Sequence, residues 1–189
     1  MNVYDFDKTI YHHDSTVDFY FYELIHHPSL IRFVPKQLFG ALKYGLKMID
    51  VTEMKKYLYV FMKGIKDIDK DLDAFWTKHI GGIHKWYLKQ QRPDDLVISG
   101  SPYFIVEGAC RRLGISHLIG SDVDRKSGMI LAPNCSREQK VICMEAAGYR
   151  IEEMEEFYSD SHKDEPLARL AKKAWIVKGE QLIEWGKDQ

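Results

Sequence analysis

The sequence has little cysteine and no strong excess of charge of either sign. Its three cysteines, Cys110, Cys135 and Cys143, are odd in number and lack the spacing of metal ligands. We therefore expect reduced thiols in a cytoplasmic protein. The net charge is −1, with 29% charged residues of both signs, which argues against a chain that binds nucleic acid along its length.

Long hydrophobic runs are also missing. No uncharged stretch approaches the roughly 18 apolar residues of a membrane span, so we expect no integral membrane segment. Asp5 and Asp7 stand where a signal peptide has a basic and then an apolar run. The 189 residues are 45% hydrophobic and 13% aromatic, which allows one sizeable core and argues against disorder.

The first nine residues contain the most informative pattern, a short apolar strand over residues 1–4 that runs into Asp5 and Asp7. Residues i and i+2 of a strand point the same way, so both carboxylates should leave the strand end towards one point. Two carboxyl groups so close to each other both ionise easily only when a cation lies between them; otherwise one of them keeps its proton. The pair indicates a metal site, a nucleophile with an acid–base partner, or both. For this segment alone, a solvated turn is the alternative.

Helical patterns fill residues 15–89, and strands then alternate with helices. The strand candidates are residues 96–98, 117–122, 157–159 and 174–177. This alternation predicts an α/β fold with a mostly parallel sheet. Ser99 and Asp160 follow two of the strands as Asp5 and Asp7 follow the first, and sites in such sheets form at the carboxyl ends of strands. A helix opening at residues 134–136 and ending near Ala147 is expected to carry Lys140 in its second turn.

In this order the segments resemble the motifs of the haloacid dehalogenase superfamily, in its phosphoserine-phosphatase-like branch. Asp5-Phe6-Asp7-Lys8-Thr9 matches the first motif, Asp-x-Asp-x-Thr, and Ser99 matches the second. Lys140 matches the third, and Asp160 and Asp164 match the fourth. The resemblance implies a Rossmann-like three-layer sandwich built from residues 1–14 and 90–189, with an all-helical cap inserted at residues 15–89.

The resemblance also implies a Mg²⁺-dependent phosphatase that acts on a small phosphate ester through an aspartyl-phosphate. It makes Asp5 the nucleophile and Asp7 the general acid and base. Ser99 and the N–H that follows it hold phosphoryl oxygens, and Lys140 balances charge, with Lys126 and Lys163 as alternatives. The implied metal-site residues are Asp5, Asp7, Asp160 and Asp164, and the implied substrate-site residues are Thr9, Asp14, Gly100 and Ser101.

Phosphoserine is one possible substrate under this resemblance. Asp14 stands where the branch carries an acid that reads the amino acid, while the only clear arginine of the cap is Arg32. The segment Lys55-Lys56-Tyr57 is where we expect the partner of a substrate carboxylate, although lysine lacks the bidentate fork of arginine.

A second class of function rests on four basic residues spaced as one stripe of a helix: Arg32, Lys36, Lys43 and Lys47. We expect the apolar residues opposite them, Phe33, Leu38 and Leu42, to pack on the cap's own core. The alternative is a basic amphipathic helix that binds an anionic membrane or a partner, with a weak or relict phosphatase site. The sequence makes no prediction of oligomeric state.

Overall fold

The fold is built around a six-stranded sheet in a computed structural model that describes residues 1–187. The strands are β1 (Val3–Tyr4), β2 (Leu96–Pro102), β3 (His117–Ser121), β4 (Glu156–Ser159), β5 (Lys173–Lys178) and β6 (Gln181–Glu184). The helices are α1 (Ser15–His26), α2 (Val34–Gly45), α3 (Val51–Leu58), α4 (Ile68–His79), α5 (Lys85–Gln90), α6 (Tyr103–Leu113), α7 (Glu138–Ala146) and α8 (Glu165–Ala168). The strand order is β3-β2-β1-β4-β5-β6, and only the β5–β6 pairing is antiparallel among these strands.

The register of the central strands sorts their side chains onto two faces. Val3 of β1 lies opposite Leu96 of β2 and Phe157 of β4, and all three belong to one buried cluster. Tyr4 lies opposite Val97 of β2 and Tyr158 of β4, and these three side chains belong to a second buried cluster. Because successive side chains of a strand alternate, two apolar faces result, and each face needs a layer of helices.

Helices cover both faces, which gives the three layers expected. Met144 of α7 and Leu167 of α8 belong to the cluster of Val3. The cluster of Tyr4 contains Ile105 of α6 and, from the inserted helices, Phe19 and Trp76. The predicted α/β class with its mostly parallel sheet and helical region is therefore confirmed.

The helices inserted between β1 and β2 share the core of the sheet. The indole N–H of Trp76 in α4 donates to the carbonyl of Ile105 in α6 at 2.7 Å. A Cβ at Gly108 would lie 2.5 Å from Trp76 Cδ1, so glycine permits this close approach of α4 to α6. Residues 15–89 as a separate cap domain remain a prediction.

Some predicted elements differ from the structure at their ends. The helix predicted to open at residues 134–136 begins at Glu138, which places Lys140 in the first turn instead of the second. Arg137 has φ = 56°, a conformation that an α-helix does not admit. Strand β6 was not predicted; it pairs back on β5 through a two-residue turn in which Gly179 has φ = 62°.

The four basic residues predicted to form one helical stripe do not all lie on one helix. Arg32 lies in a 3₁₀ segment, Pro28–Phe33, and the α-helix restarts at Val34 with Pro35 in its first turn. Lys47 follows the end of α2, with φ = 56°. Only Lys36 and Lys43 of the four therefore share a helix.

A buried carboxyl in α1 predicts an unusual pH dependence of stability. Glu23 is fully buried, and neither of its carboxyl oxygens has a hydrogen-bond partner among the described residues. Oε2 of Glu23 lies 3.8 Å from Nε2 of His27. Burial, helped by the charge of Asp71, raises the pKa of Glu23 from 4.5 to about 8.

Glu23→Gln should therefore stabilise the protein more at pH 8 than at pH 5. Between the unfolded and folded pKa, only the unfolded chain releases the proton, so stability of the wild type falls as pH rises towards 8. The lost free energy is on the order of 3 kcal/mol, or roughly 5–10 °C in Tm for this length. Thermal unfolding of both proteins at the two pH values measures it. The exposed Glu152→Gln is the control, and an equal Tm difference at both pH values would contradict the assignment.

Candidate active site

Two carboxylates leave the end of β1 towards one cavity, as predicted. Asp5 and Asp7 both line a cavity of ≈ 250 Å³, together with Ser101 of β2 and Asp160 after β4. Phe6 between the two acids is fully buried and packs edge-on against Trp76 in the core. The cavity thus lies at the carboxyl ends of three neighbouring parallel strands, where open α/β sheets form their sites.

A tight loop fixes the two acids. The carbonyl of Phe6 accepts backbone N–H groups from Thr9, Ile10 and Tyr11. Lys8 within this loop has φ = 59°, in the left-handed region that side chains with a Cβ rarely adopt. Strain of this kind persists where surrounding contacts impose it, and it is concentrated at functional sites.

A buried lysine joins the first carboxylate to the last segment of the site. Lys140 Nζ lies 2.5 Å from Asp5 Oδ1 and 2.7 Å from Asp164 Oδ2, and Ser159 Oγ also donates to Asp164. Burial disfavours the charged ammonium, but the two carboxylates outweigh this cost and raise the pKa of Lys140. Lys140 therefore stays charged between Asp5 and Asp164. Lys163 also lines the cavity, whereas Lys126 does not.

Asp7 is held by hydrogen bonds on both carboxylate oxygens. The N–H of Ser15, at the start of α1, donates to Oδ1 at 2.6 Å, and Ser101 Oγ donates to Oδ2 at 2.5 Å. Thr16 in turn donates to Ser101, which fixes that hydroxyl. Burial raises the pKa of Asp7 to about 6 against the opposing effect of these hydrogen bonds. A carboxyl with this pKa can both give and take a proton near neutral pH.

Two more acids of the cavity, Asp5 and Asp160, are also harder to ionise than usual. Burial, together with the charges of Asp164, Asp7 and Asp160, raises the pKa of Asp5 to about 7 although Lys140 opposes the shift. Burial also raises the pKa of Asp160. This crowding of desolvated carboxylates is the condition in which a bound cation is most stabilising.

Two residues predicted for the site, Thr9 and Ser99, are fully buried and do not line the cavity. Thr9 Oγ1 lies 3.4 Å from Asp5 Oδ2 and accepts the N–H of Asp160 at 2.9 Å. Ser99 Oγ lies 3.4 Å from Asp7 Oδ2 and accepts the N–H of Ser101. The structure thus gives both hydroxyls positioning contacts, and the substrate contacts predicted for them stay predictions. Gly100, Ser101 and Asp14 do line the cavity.

The structure adds Asn134 and Arg137 to the site, and it gives Lys55, which was expected to meet a substrate carboxylate, contacts within the protein. Lys55 of α3 lines the cavity and donates to the carbonyl of Gly100 and to Asn134 Oδ1, both at 2.7 Å. Arg137 also lines it, in the left-handed conformation noted above. The polar run before Lys140 was a signal for Asn134 and Arg137, but it was read as the beginning of a helix.

The side chains around the cavity fit a hard divalent cation such as Mg²⁺. The acids that line it are Asp5, Asp7, Asp14, Asp160 and Asp164, and the basic residues are Lys8, Lys55, Arg137, Lys140 and Lys163. Counted as fully ionised, these five acids and five bases cancel, and one divalent ion would then add the two positive charges that a phosphate ester dianion neutralises. The acids also supply only oxygen donors, which Mg²⁺ prefers.

These features define a Rossmann-like α/β protein with a carboxylate site at its strand ends and helices inserted after its first strand. Residues 3–169 match the family model described as haloacid dehalogenase-like hydrolase, and the chain belongs to that family. The predicted family and hydrolase class are thereby confirmed. No curated protein matches the chain.

Solved structures show the same fold. A protein of unknown function from Bordetella pertussis Tohama I has a TM-score of 0.72 at 15% identity, covering 92% of this chain and 87% of its own. A phosphoserine phosphohydrolase-like protein from Francisella tularensis subsp. tularensis SCHU S4 has a TM-score of 0.52 at 15% identity, covering 92% and 86%. A substrate-bound phosphoserine phosphatase has a TM-score of 0.51 at 14% identity, covering 91% and 82%.

The raised pKa values predict how Mg²⁺ affinity depends on pH. Asp5 must lose its proton to bind a cation, and its pKa is about 7. Protons therefore compete with the metal at pH 6 and hardly at pH 8, so the apparent affinity should rise about tenfold between them. Calorimetric titration with Mg²⁺ at both pH values measures this. Asp5→Asn is the control, because removing the titrating group should flatten most of the dependence; an affinity that is the same at both pH values in the wild type would contradict the prediction.

Proposed function

We propose that this hydrolase is a Mg²⁺-dependent phosphomonoesterase that works through an aspartyl-phosphate on Asp5. The observation that carries the proposal is the pair formed by Asp5, held by Lys140, and Asp7, held by α1 and Ser101, at the wall of one cavity. A nucleophile and a proton donor side by side are what a phosphate ester needs for displacement of its leaving group. The metal and the phosphatase reaction are the parts that require testing.

In the first step a carboxylate oxygen of Asp5 attacks phosphorus, and the bond from phosphorus to the ester oxygen breaks. Asp7 gives its proton to that leaving oxygen, so the alcohol departs neutral. Lys140 remains charged beside Asp5 and offsets negative charge on the phosphoryl group.

In the second step Asp7, now ionised, takes a proton from water, which attacks phosphorus and breaks the bond to Asp5. Inorganic phosphate leaves, and both aspartates return to their starting states. Asp5, Asp160, Asp164 and the backbone of Asp7 would hold Mg²⁺, which when bound supplies positive charge against the phosphoryl oxygens.

Phosphoserine has weaker support than the reaction itself. Asp14 lines the cavity and could pair with a substrate ammonium. Arg32 does not line it, and the ammonium of Lys55 is already bound to Gly100 and Asn134. A relict site is not supported either, because the ion pairs of Lys140 with Asp5 and Asp164 are in place.

Asp5→Asn tests the nucleophile. The amide cannot form the acyl phosphate, so turnover of p-nitrophenyl phosphate and of a panel of amino acid, sugar, nucleotide and lipid phosphates should fall on the order of 10³-fold or more. Rapid quenching and mass spectrometry should find one phosphoryl group on the wild type and none on the variant. Asp69→Asn, at an exposed surface acid, is the control. Turnover retained by a folded Asp5→Asn protein would exclude Asp5 as nucleophile.

Asp7→Asn tests the proton donor. Without this proton, an alkyl phosphate with a poor leaving group should lose activity at least tenfold more than p-nitrophenyl phosphate, whose leaving group departs without help. The ratio of kcat/KM values for the two substrates measures the effect. Equal losses for both substrates would show that Asp7 acts only in positioning.

A further inference from the structure

A long stretch of the inserted helices carries positive charge alone. Between Glu23 and Asp50 the sequence has no Asp or Glu, although the chain has as many acidic as basic residues to within one. Arg32, Lys36 and Lys47 are exposed within this stretch. The segregation contrasts with the mixed charge of the chain as a whole, and it generates a local positive field.

Large apolar side chains are exposed in the same stretch. Leu38 and Leu42 were expected to pack on the cap's own core, but they are 64% and 60% exposed. Leu46 and Met48, just after α2, are 63% and 66% exposed. We call this basic and apolar surface the α2 face; it comprises Lys36, Leu38, Leu42, Leu46, Lys47 and Met48. Contiguous exposed apolar residues with a basic border mark interaction surfaces.

The opposite side of α2 is fixed by tight packing, which sets the orientation of the α2 face. A Cβ at Gly40 would lie 2.3 Å from Cβ of Tyr57 in α3, so the two helices are in close contact there. Gln37 is buried, accepts a hydrogen bond from Tyr20 and donates to the carbonyl of Leu58. A rotation of α2 that buried Leu38 and Leu42 would break these contacts.

The α2 face adjoins the catalytic cavity. Tyr44 in the last turn of α2 lines that cavity, as do Val51 and Lys55 of α3. Tyr44 also lines a neighbouring groove that includes Lys47 and Met48. A cavity of ≈ 250 Å³ accommodates a phosphate ester head group but lies below the size of sites that enclose whole drug-sized ligands. The rest of a larger substrate would extend beyond the cavity, and the groove that shares Tyr44 offers it a surface.

We propose that the α2 face docks on an anionic membrane surface, and that the substrate is a phosphate monoester carried on a lipid whose head group reaches Asp5 past Tyr44. Apolar side chains with flanking lysines give the two signals, burial and charge, that interfacial binding requires. The substrate half rests on the proposed phosphatase activity: the lipid ester and water yield a lipid alcohol and inorganic phosphate. Among the described residues no helix is long and apolar enough to cross a bilayer, and surface docking needs none.

Vesicle sedimentation with the full chain tests the docking surface. The wild type should bind vesicles of phosphatidylcholine and phosphatidylglycerol at 7:3, bind pure phosphatidylcholine at least tenfold less, and be released by 0.5 M salt. Leu38→Ser/Leu42→Ser and Lys36→Glu/Lys47→Glu should each lower binding at least tenfold. The matched controls, Leu88→Ser/Met129→Ser and Lys89→Glu/Lys172→Glu, change exposed residues elsewhere and should bind as the wild type does.

Kinetics test the substrate class. With Mg²⁺, phosphatidic acid in those vesicles should be hydrolysed with at least tenfold higher kcat/KM than glycerol 3-phosphate in solution. Leu38→Ser/Leu42→Ser should lose that preference and keep its activity on the soluble ester, because neither leucine lines the cavity.

Failure of the surface and failure of the phosphatase give different results. Hydrolysis of soluble esters without vesicle binding would overturn the docking surface and leave the phosphatase standing. Vesicle binding with no hydrolysis of any ester would overturn the proposed function and the lipid substrate with it. A dimer in sedimentation equilibrium that Leu38→Ser/Leu42→Ser abolishes would show that a second copy of the chain covers the α2 face, which would also overturn the proposal.

Discussion

The catalytic centre depends on one buried ion-pair network, in which Lys140 bridges Asp5 from the first strand and Asp164 from the segment after β4. Taking three charges out of water is costly, and the arrangement persists only because each ammonium contact is short and Ser159 satisfies Asp164 further. The contact with Lys140 holds Oδ1 of Asp5 in place. Burial raises the pKa values of Asp7 and Asp160 as well, and a divalent ion beside these carboxyl groups would favour their ionised forms.

The sheet topology brings these groups together. Because β1 is central and parallel to β2 and β4, residues that follow the three strands meet at one edge, although they come from distant parts of the chain. Side chains also alternate in direction just after β1: Phe6 packs in the core, whereas Asp5 and Asp7 line the cavity. The same core includes Trp76 and Phe19 of the inserted helices. Packing of those helices therefore supports the loop that carries the catalytic acids.

Much of this could be predicted from the sequence, because the relevant signals are local. The i, i+2 spacing of Asp5 and Asp7 and the polar residues after each strand predicted both the edge and the acids found there. Lys140 was predicted through a family motif, whereas its partners required the fold. Lys55 was expected near the substrate but its contacts were not predicted, and Arg137 was missed. The contacts of Lys55 with Gly100 and Asn134 depend on how α3 packs, and the left-handed backbone of Arg137 has no propensity signal. Strand β6 is short and lies at the edge of the sheet, so it lacks the apolar run of a buried strand.

The failure of one sequence expectation is itself informative. The apolar residues of α2 were expected to be core residues because a helix of a folded domain commonly buries its apolar stripe. Here the buried stripe is made of Gln37 and Gly40, which contribute little apolar area, while Leu38 and Leu42 remain exposed. Exposing two leucines to water is unfavourable. A surface that only faced water would not need them, since serine or lysine could replace both without disturbing the contacts of Gln37 and Gly40. The leucines lie in a segment free of acids, beside a cavity that admits a dianionic head group. Insertion of their side chains into an anionic membrane would offset the unfavourable exposure to water.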